Sequence, residues 1–240
     1  IGLAFAAAIR GYRLILTMPE TMSSERVALL QHLGAQVVLT RGILMGDAVA
    51  RAAQLASEIP DSLVLDQFKN PANPQLHRQT TAVEVWNATR GAVDVFVAAV
   101  GTGGTITGVG EALKALRPGV RIVAVEPAGA AVLSGRSAGA HQMPGIGVGF
   151  IPDVLNRAIL DDVIAVSDED AFAVARRLAQ EEGILAGVSS GAAVHAALSV
   201  ASSPTATGKM IVVLLADTAE RYVTTALFGR KQASSSGEAR

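Results

Sequence analysis

The chain has 240 residues, of which 50% are hydrophobic and 17% charged, with a formal net charge of −1. Such a composition can bury a core, which excludes a disordered acidic or basic polymer. It carries no basic excess to neutralise a phosphate backbone, so nucleic acid is not an expected partner. Cysteine is absent. That excludes disulfides and thiolate metal sites and fits a cytoplasmic setting.

Apolar runs such as Val93–Val100 fall short of the roughly 18–20 residues that span a bilayer, so no membrane is expected. At the N-terminus the first cation, Arg10, follows the apolar run, whereas a signal peptide places its charge before it. There is no initial Met, and the chain opens inside a helical pattern. The sequence therefore reads as a fragment whose upstream part is missing.

Leu14–Leu16 reads as a strand. A helix follows, with Ser23 or Ser24 as its cap, Val27, Leu30 and Leu33 on its apolar face and Gly34 as its stop. Gln36–Leu39 is the next strand, Asp47–Ile59 an alanine-rich helix and Leu63–Leu65 a further strand. A helical pattern runs from Pro74 through Trp86. Val93–Val100 then reads as a strand, Ile106–Leu116 as a helix and Arg121–Val125 as a strand. Residues 128–153 hold six Gly and two Pro and read as an irregular excursion. Asp168–Glu182 and Ala192–Val200 read as helices, Met210–Leu215 as a strand and Tyr222–Phe228 as a helix.

Repeated strand–helix–strand units with continuously apolar strands predict an α/β fold of parallel sheets covered by helices. The turn Asn70–Pro74 divides it into residues 1–70 and 71–232. The Ser/Gly-rich tail, 233–240, reads as disordered. Trp86 and the six Phe are most simply core.

The sharpest local signal is Gly101-Thr102-Gly103-Gly104-Thr105-Ile106-Thr107-Gly108, set between an apolar strand and a helix. Glycines let backbone approach a ligand, free N–H groups at a helix start face an anion, and threonine hydroxyls add donors. The cluster reads as a phosphate cradle. It lacks the Lys of a Walker loop. It also departs from G-x-G-x-x-G, because Ile106 stands at the third glycine. Glu126, about 20 residues on, is placed where a ribose-binding acid would sit and keeps a nicotinamide dinucleotide open as an alternative.

Three further clusters carry chemistry. Ser189 and Ser190, in Ala186–Ala193, precede a helix and can cap it. Gln67, with Phe68 beside it, lies at the C-terminal end of the strand predicted at Leu63–Leu65, before the rigid Asn70–Pro74 turn. Pro144–Phe150 is a glycine ladder suited to a loop lining a pocket. His32, His77, His141 and His195 have no mutual metal-ligand spacing, and His32 and His77 read as helix-surface residues.

In order, MPETMS, LGA, QF-x-NPANP, GTGGTITG, PGIGVGFIP, GVSSGAA and D-x-x-ERY resemble the cysteine synthase (O-acetylserine sulfhydrylase) family of fold-type-II pyridoxal-phosphate enzymes, from Ile1 to about Phe228. The resemblance implies that Gly101, Thr102, Gly103, Gly104 and Thr105 bind the phosphate of pyridoxal 5′-phosphate. It implies that Ser189 faces the pyridine nitrogen, that Gln67 and Phe68 receive the amino acid carboxylate, and that Gly145 and Gly147 line the substrate entrance. It implies O-acetylserine and sulfide as substrates, a homodimer, and docking of the serine acetyltransferase tail. The family's Schiff-base lysine matches none of Lys69, Lys114, Lys209 and Lys231. The chain as given is therefore expected to be an inactive fragment. A lysine-less homologue that only binds a ligand or partner is the other alternative. Pro144 and Ala219 depart from the family's usual Gln and Gly or Ser.

Overall fold

The structure is a computed structural model describing residues 1–229. The predicted tail and Lys231 lie outside the described residues. The chain builds two parallel sheets. β1 (Ile15–Pro19) pairs with β2 (Gln36–Thr40), from Ile15 opposite Gln36 to Pro19 opposite Thr40. Around them lie α1 (Gly2–Arg10), α2 (Ser24–His32) and α3 (Met45–Glu58). Ala4, Met18, Leu30 and Ala35 form this small core.

The second sheet has the order β5-β4-β3-β6, with β3 (Val93–Ala99), β4 (Arg121–Pro127), β5 (Asp162–Val166) and β6 (Met210–Val213). All its ladders are parallel. Its helices are α4 (Ala72–Gln79), α5 (Thr81–Ala88), α6 (Gly104–Leu116), α7 (Asp168–Glu181) and α8 (Val188–Ala201). Strand alternation sorts the core by face. Val95, Val97, Val123 and Val125 pack with α7 and α8, whereas Phe96, Ala98, Ile122 and Ala124 pack with α5 and α6. The register of β3 against β6 is pinned by Asp94, whose carboxylate accepts from Arg117 Nη2 at 2.7 Å and from the Met210 N–H at 2.8 Å.

Helix pairs approach closely where glycine leaves room. A Cβ on Gly108 in α6 would lie 2.1 Å from the Pro74 carbonyl oxygen in α4, and one on Gly191 in α8 would lie 2.1 Å from the Ala171 carbonyl oxygen in α7. α7 starts as its sequence demands: Ser167 Oγ accepts from the Asp170 N–H at 3.1 Å, and Asp168, Glu169 and Asp170 complement the helix dipole.

Several local expectations are corrected. Leu63–Leu65 forms no strand; its side chains are 81%, 45% and 47% exposed, and no neighbouring strand pairs with it among the described residues. The helix expected from Pro74 to Trp86 starts at Ala72 and is broken at Thr80, with φ −119° and ψ −72°. β5 has no counterpart among the predicted elements; it is an edge strand whose side chains are mostly half-buried. Ser23 is the N-cap of α2 but makes no side-chain cap bond. α8 begins at Val188 with Gly187 as N-cap, so Ser189 and Ser190 lie inside its first turn and do not cap it. Tyr222–Phe228 is two 3₁₀ turns, Ala219–Tyr222 and Ala226–Phe228, and not an α-helix. Phe5 and Phe228 are exposed, unlike the buried Phe68, Phe96 and Phe172.

Candidate active site

In the four-stranded sheet the chain runs from β3 through β4 to β5 on one side and returns to β6 on the other. The switch point therefore lies between β3 and β6, and in open parallel sheets ligands bind in the crevice beyond the C-terminal ends of such strands. The candidate residues converge there.

The glycine–threonine cluster leaves the end of β3 and opens α6. Gly103 is its N-cap at φ +83°, a left-handed conformation that favours glycine. The first intrahelical bond runs from the Thr107 N–H to the Gly103 carbonyl at 3.0 Å. The N–H groups of Thr105 and Ile106 are thus left outward at the positive end of the helix dipole. Gly104 N–H donates to Thr102 Oγ1 at 3.2 Å. The loop holds no lysine, so its donors are neutral and preorganised.

The glycine ladder lies directly against this loop. Gly147 N–H donates to the Val100 carbonyl at 3.2 Å, and a Cβ on Gly101 would lie 2.3 Å from the Gly145 carbonyl oxygen. Gly145 and Gly147 adopt φ +91° and +63°. His141 clamps the ladder: its Nε2 is 3.0 Å from the Gly147 carbonyl and its Nδ1 accepts from the Met143 N–H at 3.2 Å. A carbonyl only accepts, so Nε2 carries the proton.

Gln67 and Phe68 enter from the other side. Phe68 is buried, packs edge-on against Phe150 with centroids 5.0 Å apart, and accepts from the Val154 N–H through its carbonyl at 3.0 Å. The Gln67 side chain is exposed, and its backbone carbonyl accepts from Asn73 Nδ2 at 2.9 Å. Ser189 and Ser190 are both buried, and Ser190 Oγ has no hydrogen-bond partner among the described residues. Their helix is seated at the end of β6, where Gly187 N–H donates to the Asp217 carbonyl at 3.0 Å. Asp217 accepts from the Tyr222 hydroxyl, which burial and that carboxylate push above its ordinary pKa, so it remains a donor. The loops around Gly101, Gly145 and Gln67 are thus in direct contact. Ser189 is held in the first turn of α8, with no hydrogen bond to them.

Two expectations fail here. Glu126 is 2% exposed, and its carboxylate accepts from Leu133 N–H at 2.8 Å, Ser134 N–H at 2.9 Å and Ser134 Oγ at 2.6 Å. It is spent on holding the loop after β4, which removes the ribose-binding acid on which the nicotinamide alternative rested. His77 is not a plain surface residue: its Nε2 meets Thr105 Oγ1 at 3.1 Å and its Nδ1 meets Thr81 Oγ1 at 2.9 Å. Burial lowers its pKa. Asn73 and His77 are the residues that motif reading missed. Both sit on the first turns of α4, one position before Pro74 and three after it, facing the cradle.

Farther along α6, Thr107 Oγ1 accepts from the Asn156 N–H at 3.0 Å, and Asn156 Nδ2 donates to Glu111 Oε1 at 2.8 Å. Burial pushes the Glu111 carboxyl up, but hydrogen bonds from Asn156 and Arg78 outweigh it and hold the group below its ordinary value. Of the lysines, Lys69 pairs with Asp153 at 3.7 Å, Lys114 pairs with Asp161 at 2.8 Å, and Lys209 is exposed.

The arrangement fits pyridoxal phosphate. A Cβ-free loop with outward N–H groups suits a phosphate, and a buried neutral serine pair at the end of the adjacent strand suits the far edge of a flat ring. Comparison with known proteins agrees. Residues 1–217 match the family described as pyridoxal-phosphate dependent enzyme. A probable cysteine synthase of Bacillus subtilis is 51% identical over 234 residues, covering 95% of this chain and 74% of that protein. Cysteine synthase A of Escherichia coli K12 is 50% identical over 238 residues with the same shares. The crystal structure of cysteine synthase from Entamoeba histolytica superposes with a TM-score of 0.89 at 40% identity, covering 99% of this chain and 69% of that one. An O-ureido-L-serine synthase gives 0.90 at 42%, covering 97% and 73%. The chain belongs to the pyridoxal-phosphate-dependent enzymes of fold type II, in the cysteine synthase family.

Proposed function

We propose that this site serves the replacement of the acetoxy group of O-acetylserine by sulfide, giving L-cysteine and acetate. Bound pyridoxal phosphate supplies the electron sink for that β-replacement. The chain's own residues bind, orient and tune. The N–H groups and hydroxyls of Gly101–Thr105 hold the phosphate dianion without a cation. Ser189 offers a neutral hydroxyl to the pyridine nitrogen. A carboxylate there would hold the nitrogen protonated, whereas serine does so less, which suits a reaction whose negative charge departs with the leaving group. Gln67 and the rigid Phe68–Phe150 contact receive the substrate carboxylate, and Gly145 and Gly147 line the entrance.

None of Lys69, Lys114 and Lys209 stands in this site. The acid/base lysine that the chemistry requires is thus not supplied by the described residues, and these residues bind the cofactor without turning over. A division into a substrate-side unit, residues 1–70, and a cofactor-side unit, 71–232, belongs to the same reading. So do a homodimer, the docking of the serine acetyltransferase tail, and a cytoplasmic setting. Among the described residues no helix is long and apolar enough to cross a membrane.

The observation that carries the proposal is the lysine-free cradle at the switch point, in contact with the glycine ladder and tied to Gln67. The test is fluorescence titration of the chain with pyridoxal phosphate and with NADH, alongside cysteine formation by the protein expressed from its complete coding region. Saturable pyridoxal phosphate binding with cysteine formation supports the reading. Binding of NADH alone, or no cysteine from the complete protein, overturns it.

A further inference from the structure

The reading of the cradle gives Asn73 no role. Its amide nitrogen makes two contacts: Nδ2 donates to the Gln67 carbonyl at 2.9 Å and to Thr102 Oγ1 at 2.9 Å. The orientation of the amide follows from the first. A backbone carbonyl only accepts, so the nitrogen must face Gln67. The oxygen is then turned to Gly104, where an added Cβ would lie 2.0 Å from it. The amide is thus wedged between the Gln67 carbonyl and the Thr102–Gly104 loop, and a flip would set its oxygen against that carbonyl.

This has a consequence for Thr102. Its Oγ1 accepts from Asn73 Nδ2 at 2.9 Å and from the Gly104 N–H at 3.2 Å. A hydroxyl has two acceptor lone pairs and one proton. Both lone pairs are occupied by donors, so the remaining proton must point away from them. No acceptor for it stands within hydrogen-bond distance among the described residues.

We propose that Asn73 is a positioning residue that sets the polarity of the Thr102 hydroxyl, forcing it to donate into the cradle and there to an oxygen of the cofactor phosphate. The proposal rests on the cradle being a phosphate site, as argued above. Asn73 acts through Thr102 and touches neither cofactor nor substrate. A serine, an alanine or an aspartate at position 73 would leave the hydroxyl free to turn inward.

The test measures dissociation constants for pyridoxal phosphate by fluorescence titration of the protein expressed from its complete coding region, with ³¹P chemical shifts of the bound phosphate as a second readout. Asn73→Asp presents acceptors to Thr102 and should recruit its proton. Affinity is expected to fall roughly 10- to 100-fold, the range for one lost hydrogen bond to a charged group. Asn73→Ala, which offers no acceptor, should fall less, although it removes more atoms. In a Thr102→Val background the Asn73→Asp change should shrink to less than about threefold, since no hydroxyl remains to be turned. Simple repulsion between the new carboxylate and the phosphate would persist in that background. Three results overturn the proposal: Asn73→Asp binding as wild type does, Asn73→Ala proving worse than Asn73→Asp, or equal losses with and without the Thr102 hydroxyl. A wild-type protein that fails to bind pyridoxal phosphate overturns the functional reading itself, which keeps the two failures distinct.

Discussion

Gly108 and Gly46 both lie inside α-helices, yet alanine should act on them with opposite sign. At Gly46, in the first turn of α3, an added Cβ meets nothing within 4 Å. There, alanine contributes only its higher helix propensity, worth about 1 kcal/mol. At Gly108 the same propensity gain is opposed by a Cβ placed 2.1 Å from the Pro74 carbonyl oxygen, 2.8 Å from the Arg78 nitrogen and 2.8 Å from His77 Cβ. Two of these neighbours are backbone, so relief requires moving α4 from α6 by about 1 Å, an overpacking cost of roughly 1–3 kcal/mol. That movement also stretches the Asn73–Thr102 and His77–Thr105 bonds that cross the interface, each worth about 1 kcal/mol. The balance for Gly108→Ala is a loss of about 2 kcal/mol, or roughly 4–8 °C in melting temperature for a chain of this size. Gly46→Ala should gain about 2–4 °C on the same scale. Thermal melts followed by circular dichroism decide it. A Gly108→Ala protein melting at or above wild type would refute the claim that α4 and α6 are in backbone contact at this point.

Further outcomes follow from other parts of the site. Burial lowers the His77 pKa from its ordinary 6.5, so folding favours the neutral ring. Its contribution is complete above about pH 6.5 and is lost as the pH falls through the lowered value. His77→Gln should flatten the acid limb of a melting-temperature profile below pH 6.5, and an unchanged limb would assign the loss to other groups. Glu126→Ala should strip acceptors from the Leu133 and Ser134 N–H groups and cost roughly 2–5 kcal/mol in denaturant melts. The wild-type chain should show no saturable NADH binding by fluorescence. Tyr222→Phe removes the donor to the Asp217 carboxylate and should cost about 1–3 kcal/mol; a melt unshifted from wild type would mean that another group serves that carboxylate.

The inner strands of the larger unit's sheet were legible because they are apolar along most of their length, and Val93–Ala99 and Arg121–Pro127 fall within two residues of their predicted bounds. The cradle was legible because glycine density at a strand–helix junction has a local physical reason. Where the reading failed, the deciding atoms were distant in sequence. Leu63–Leu65 has a strand's composition, but a strand exists only with a partner. Ser189 has a cap's residue type, yet the helix already starts at Val188, because Gly187 can tuck against Asp217, where a Cβ would lie 2.0 Å from Oδ1. Glu126 looked placed for a ribose, and only the fold of residues 128–135 back over β4 shows its oxygens already taken. Asn73 and His77 carry no signature of their own; they matter because α4 lies across the start of α6.

Because β6 arrives last and pairs with β3, the central strand must wait for its second neighbour during synthesis. Asp94 and Met210, which bond across that ladder, are 116 residues apart. At about 5–20 residues per second a ribosome needs roughly 6–23 s to cover that interval. Throughout it, one edge of β3, a largely buried strand, is open, next to the loop that will hold the cofactor. The protein's exposure to aggregation is therefore set by translation speed between β3 and β6, and slow codons in that interval would lengthen it.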